Sequence, residues 1–161
     1  MQAKAGDIEM AETAPRLLYL DDLAVGQTFS SGSYTLTEEK LKAFAAEYDP
    51  QPFHLDHDAA RGTLFRGLAA SGWQTAAITM RLLVESPVRL ADGIIGAGGE
   101  IKWPHPTRAG DTLTVRTEVI ELLPSRTRPK QGIVVMRSET VNQNGTVVQV
   151  LISRLVTFRR G

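Results

Sequence analysis

Two hydrophobic periods divide the chain. Up to Val84 the apolar positions recur at a helical spacing, and beyond Pro87 they alternate. Leu41, Phe44, Ala45 and Tyr48 fall at i, i+3, i+4 and i+7, behind Thr37 as a helix N-cap and Glu38 and Glu39 at the positive end of the helix dipole. This predicts an amphipathic helix that ends at Asp49-Pro50. A second helix is predicted from Trp73 to Val84, beginning just after Ser71-Gly72 and over by Pro87. Trp73, Ala76, Ala77, Ile78, Met80, Leu82, Leu83 and Val84 make it apolar on nearly every face, a pattern that predicts an enclosed helix. Between the two helices, a short helical piece is expected at Asp56 to Arg61, followed by a loop bracketed by Gly62 and Gly67.

Strands account for the rest. Leu17 to Leu23 reads as an extended lead-in, and a first strand runs through about Tyr34. Four more are expected at Ile94 to Trp103, Thr112 to Leu123, Gly132 to Asn142 and Thr146 to Arg159. The turns between them hold Pro104-His105-Pro106, Ala109-Gly110-Asp111 and Asn144-Gly145. Asn-Gly is the strongest of these signals and predicts a type I′ hairpin, with φ positive at both central residues. A meander of about five long strands can cover one enclosed helix only by curving around it. The expected architecture is therefore α+β: a single hot-dog domain at residues 17–161, an antiparallel sheet wrapped around a central helix, behind a flexible N-terminal segment at residues 1–16. The sheet would keep open edges, which predicts a homodimer, or a hexamer assembled from dimers.

Composition narrows the function. Lysine plus arginine total 18, as do aspartate plus glutamate, so the formal net charge is +0 and no global field draws nucleic acid or an anionic membrane. The absence of cysteine removes disulfides, thiolate metal sites and a cysteine nucleophile. Met1 to Arg16 contains Lys4, Asp7, Glu9 and Glu12 without an apolar run, and the apolar stretch near Ile78 is broken by Arg81, far short of the ~20 residues that span a bilayer. A cytoplasmic protein is expected.

The candidate chemistry sits between the helices, in Asp49-Pro50-Gln51-Pro52-Phe53-His54. Two prolines fix their own φ and push Asp49 and Gln51 out of the α region, so the turn can hold a carboxylate and an imidazole in a set relation. His54-Leu55-Asp56-His57 offers a loose His-x-x-His pattern without a third ligand at a recognised spacing, and no metal is expected. His57 reads as a solvated loop residue and His105 as structural. Arg126, Arg128 and Lys130 read as a solvated basic cluster, or as a contact for phosphates.

Tyr48-Asp49-Pro50-Gln51-Pro52-Phe53-His54, with Ala59 and Ala60, resembles the hydratase motif of the MaoC-like, (R)-specific enoyl-CoA hydratase family: aspartate, any residue, asparagine, proline, any residue, histidine. Gln51 stands where the family usually has asparagine, and Glu47-Tyr48 replaces a small residue and glycine. The likeness continues through Phe65-Arg66-Gly67-Leu68-Ala69-Ala70-Ser71-Gly72, with Ser71 where histidine is commoner, and into Pro106 to Thr112. The resemblance implies reversible syn hydration of a trans-2-enoyl-CoA thioester, with coenzyme A as part of the substrate and no separate cofactor. It implies catalytic roles for Asp49, His54 and the backbone N–H of Gly72, and places Gln51, Phe53, Ser71 and Trp73 around the substrate, Ser71 also being a plausible helix cap. Ala77 replaces a serine the family often carries. On the same fold a thioesterase would need a carboxylate on or beside the central helix, which Trp73 to Val84 lacks, and a non-catalytic acyl-binding subunit would be expected to lose the acid/base pair.

Overall fold

A computed structural model describes residues 16–86 and 89–161. Pro87, and all but Arg16 of the N-terminal segment, lie outside the described residues. Five strands form one antiparallel sheet: β2 (Thr28–Thr35), β4 (Ile95–Lys102), β5 (Thr112–Pro124), β6 (Gln131–Val141) and β7 (Val147–Phe158). Their order is β2-β5-β6-β7-β4, so β2 and β4 are its edges. The remaining two strands, β1 (Leu17–Leu18) and β3 (Arg89–Leu90), pair in parallel as a separate short sheet, a long-range contact that the lead-in pattern could not announce.

Three α-helices accompany the strands among the described residues. Helix α1 (Glu38–Tyr48) starts where Thr37 Oγ1 accepts from Lys40 N, and α2 (His57–Arg61) where Asp56 accepts from Ala59 N. Helix α3 (Gly72–Glu85) runs along the concave face of the sheet. The inward positions of β5 are Leu113, Val115, Thr117 and Val119, at the period of two that the sequence showed. The core divides in two along the helix. Leu36, Leu41, Leu68, Ile78, Leu82, Leu113 and Val148 pack around α1 and along α3. Leu23, Leu90, Val119, Val134, Met136 and Leu155 close the other end.

Two expectations need correction. The β6–β7 turn is not type I′: of Asn144 and Gly145 only Gly145 has positive φ, at 76°. Gly145 N donates to Asn142 O and Asn142 N to Thr146 O, giving a three-residue loop in which one left-handed residue suffices. Nor is α3 enclosed by this chain. Its inner face carries Gln74, Thr75, Ile78, Thr79 and Leu82, while Trp73, Met80 and Val84 are exposed. Helical spacing put the apolar residues on both sides, and the sheet of one chain covers only one.

The inner threonines are bonded to polar side chains around them. Thr79 Oγ1 donates to Thr75 O at 2.9 Å and lies 2.6 Å from Thr140 Oγ1, and Gln149 Nε2 donates to Thr79 Oγ1 at 2.9 Å. Gln149 Oε1 then accepts from Trp103 Nε1 at 2.9 Å, so a buried network fixes an indole at the N-terminus of α3.

Candidate active site

The end of α1 delivers the first functional group. Asp49 is its C-cap, held by Asp49 N to Ala45 O at 2.9 Å, and the chain then turns through Pro52–His54 as a single 3₁₀ turn. Asp49 and His54 come together, with Nε2 of the imidazole 3.2 Å from Oδ2. His54 is 4% exposed. Its Nδ1 lies 2.7 Å from the carbonyl oxygen of Ala69, an acceptor only, so Nδ1 carries a proton and Nε2 faces the carboxylate.

The carboxylate is also fixed. Gln51 Nε2 donates to Oδ1 at 2.6 Å and Ser71 Oγ donates to Oδ2 at 2.7 Å. Burial on its own would raise the Asp49 pKa, but the hydrogen bonds from Ser71 and Gln51 and the adjacent His54 outweigh it and hold the group below the usual carboxylate value. With Nε2 protonated, the ring donates to Oδ2 across this contact. The pair is a carboxylate beside a proton donor, in contact directly rather than through an intervening atom.

Ser71 sits behind the carboxylate. It is fully buried and does not line the cleft; its oxygen caps α3, accepting from Trp73 N at 3.2 Å, and gives its proton to Asp49. The other residues singled out in the sequence, Asp49, Gln51, Phe53, His54, Gly72 and Trp73, border one cleft of about 530 Å³. Gly72 is the first residue of α3, where a backbone N–H has no intrahelical partner. It must be glycine for a reason the sequence did not reveal. A β-carbon there would lie 2.7 Å from Cε2 of Trp103, because the indole packs directly on the backbone.

Several residues that form the site carried no sequence signal of their own. Trp103 stands edge-on to Trp73, with ring centroids 5.4 Å apart, and Phe65 packs on Phe53 at 5.1 Å and on His54 at 5.8 Å. Phe65 had only its place in the stretch that carries the likeness, and Trp103 only its position before Pro104-His105-Pro106. His105 also borders the cleft, its Nδ1 3.0 Å from Val147 O. His57 does not join His54. It is solvated as expected but begins α2, with Nε2 2.7 Å from Oε1 of Glu38, and no cluster of three metal-ligating side chains occurs among the described residues. Arg126, Arg128 and Lys130 follow the far end of β5, whose 13 residues at about 3.3 Å each put them roughly 40 Å along the strand from its cleft end. Within one chain they do not border the cleft. No helix among the described residues is long and apolar enough to cross a membrane.

Comparison with known proteins gives a consistent set of relatives. The family model for the MaoC like domain matches residues 22–143. The crystal structure of a MaoC-like dehydratase from Rhodospirillum rubrum superposes with a TM-score of 0.88 at 58% identity, covering 89% of this chain and 99% of that one. The protein YdeM of Bacillus subtilis, uncharacterised, is 33% identical over 84% of this chain and 99% of its own. An (R)-specific enoyl-CoA hydratase of Rhodospirillum rubrum is 29% identical over 68% of this chain and 75% of its own.

Proposed function

The chain belongs to the MaoC-like domain family, and from that premise we propose that it catalyses the reversible addition of water to a trans-2-enoyl-CoA thioester, giving the 3-hydroxyacyl-CoA. The observation that carries the reading is the Asp49–His54 contact, with one member shaped to accept a proton and the other to give one. In this reading residues 17–161 act as one hot-dog domain.

Asp49 takes a proton from water as the oxygen bonds to Cβ. The π electrons move to the thioester oxygen, forming an enolate that the Gly72 N–H stabilises at the positive end of α3. Nε2–H of His54 then protonates Cα, and the proton on Asp49 returns to His54 across the 3.2 Å contact, restoring the starting state. Both groups sit together, so hydroxyl and hydrogen reach the same face of the double bond, which is syn addition. Phe53, Phe65 and the two tryptophans form the apolar wall that keeps other water away. A second, largely apolar cavity further along α3, lined by Met80, Leu83, Met136, Leu151 and Leu155, is where the acyl tail is placed.

The same reading takes the enzyme as a two-fold homodimer. Edge strand β4 is exposed at nearly every position, and the exposed stripe of Trp73, Met80 and Val84 on α3 lies open in one chain. Joining the sheets edge to edge covers both.

The test is loss of enoyl-thioester absorbance with short, branched, dicarboxylic and aromatic acyl-CoAs. Asp49→Asn and His54→Ala should each lower kcat by more than ~100-fold with folding intact. Unchanged turnover in both variants refutes the assignment. Release of free coenzyme A without hydration makes the protein a thioesterase, and binding without turnover makes it an acyl-binding subunit.

A further inference from the structure

The family reading leaves one half-buried charge unused. The guanidinium of Arg108 borders no carboxylate among the described ion pairs and spends its donors on backbone: Nη1 to Gly67 O at 2.8 Å and Leu68 O at 3.0 Å, and Nη2 to Phe65 O at 2.5 Å. Three carbonyls of one loop are thus gathered on one fork, a geometry that arginine's fixed plane supplies and lysine's point charge does not. The fork is itself anchored. Arg108 N donates to Asp111 Oδ2 at 2.8 Å, Asp111 Oδ1 accepts from Gln143 Nε2 at 3.1 Å, and across the same turn Leu36 N donates to Asp111 O while Leu36 O accepts from Gly110 N.

The loop that Arg108 holds is the one that ends in the partner of His54. Leu68 O and Ala69 N belong to one peptide plane, pinned on one side by Arg108 and on the other by Phe53 O, which accepts from Ala69 N at 3.3 Å. The next plane holds Ala69 O, which takes the His54 proton, and Ala70 N, which donates to Thr107 O at 2.9 Å. Fixing both planes fixes the two dihedral angles of Ala69, and so the direction in which its carbonyl points. That carbonyl is what keeps Nδ1 protonated and Nε2 turned to Asp49. Phe65, whose carbonyl is the third ligand of the fork, packs its ring against the same imidazole.

We propose that Arg108 is a positioning residue for His54, fixing the Nδ1–H bond to Ala69 O and the aim of the imidazole through the Phe65–Ala69 backbone without touching substrate. The catalytic consequence rests on the hydratase reading above; the effect on the imidazole does not.

The test compares wild type with Arg108→Lys and Arg108→Met in the full chain. The chain has three histidines, so ¹⁵N-edited spectra resolve their rings, with His54→Gln identifying the His54 signals. Wild type should show a His54 Nδ1–H protected from exchange; Arg108→Met should lose that protection, and Arg108→Lys should retain part of it. On an enoyl-CoA the Met variant should lose about 10–100-fold in kcat, with KM within a few-fold, and guanidinium ion added to the buffer should restore part of the loss. A raised KM with normal kcat would show that Arg108 binds substrate, and a lowered Tm with an unaltered His54 proton would show a purely structural role; either overturns the proposal. Should the Met variant fail to fold, the Lys variant decides by the same two readouts. If no enoyl thioester is turned over by wild type, the hydratase reading falls while the histidine spectra still judge Arg108.

Discussion

Ser71→Ala removes one oxygen that serves two bonds. As the cap of α3 it accepts from Trp73 N, and such a cap contributes about 1 kcal/mol. As a donor to a charged carboxylate it makes a bond worth about 1.5–3 kcal/mol. That second figure must be discounted, because Asp49 keeps Gln51 and His54, and its side chain is 17% exposed, so water can take the vacated place. A net loss of about 2 kcal/mol, hence a Tm lower by about 4–8 °C for a chain of this size, is the expected outcome in a thermal melt. The second effect is on pH dependence. A carboxylate whose folded pKa is lowered adds stability above its unfolded pKa and loses that stability as pH falls through the folded value. Without Ser71 the lowering is smaller, so both the acid limb of kcat/KM and the acid loss of stability should move to higher pH. Ser71→Thr, which keeps a hydroxyl, should move them less. A Tm that falls while the acid limb stays in place would leave Ser71 a cap alone, and if neither moves, the Ser71–Asp49 bond is refuted.

Gly72→Ala should push the indole of Trp103 off the helix start, breaking its bond to Gln149 and costing about 1–3 kcal/mol of stability. The chain has two tryptophans, both at the cleft, so the shift should be visible in fluorescence; an unchanged spectrum and Tm would show that Trp103 does not pack there. Sedimentation at micromolar concentration should give at least two chains of 17.6 kDa, and Val84→Asp on the exposed stripe should move the protein toward one. A fully active wild-type monomer would sink the dimer, whereas a hexamer built from dimers would not.

What could be read in the sequence followed from period, and what could not followed from pairing. The long strands and helices stand within one or two residues of their expected limits, because alternation and the 3.6 repeat are properties of each segment alone. Asp49 and His54 were legible because their prolines and spacing are local. Trp103 against Gly72, Ser71 beneath Asp49 and Arg108 on Phe65 join residues 31, 22 and 43 apart, and no local pattern states which face meets which. The β6–β7 turn failed for a related reason, since Asn-Gly fits both hairpin types and the pairing of Asn142 with Thr146 selects between them.

Helix α3 shows how its two unlike faces bear on the site. Its apolar composition predicted complete enclosure, yet Gln74, Thr75 and Thr79 point inward while Trp73, Met80 and Val84 face out. Polar groups are tolerated inside because Thr140, Gln149 and Thr107 answer the threonines, and the same bonds hold Trp103 over the helix start. The network therefore joins the core to the cleft: the residues that make the helix look poorly suited to burial are those that shape the space above Gly72. The outward apolar stripe begins at Trp73, inside the cleft, and continues to Met80, which borders the second cavity. In the hydratase reading, a partner chain covering that stripe would border both cavities, so assembly and acyl binding would share one face of one helix. In the hydratase reading, loss of the dimer through Val84→Asp should therefore weaken long acyl chains more than short ones, and an equal loss for both would separate assembly from the acyl path.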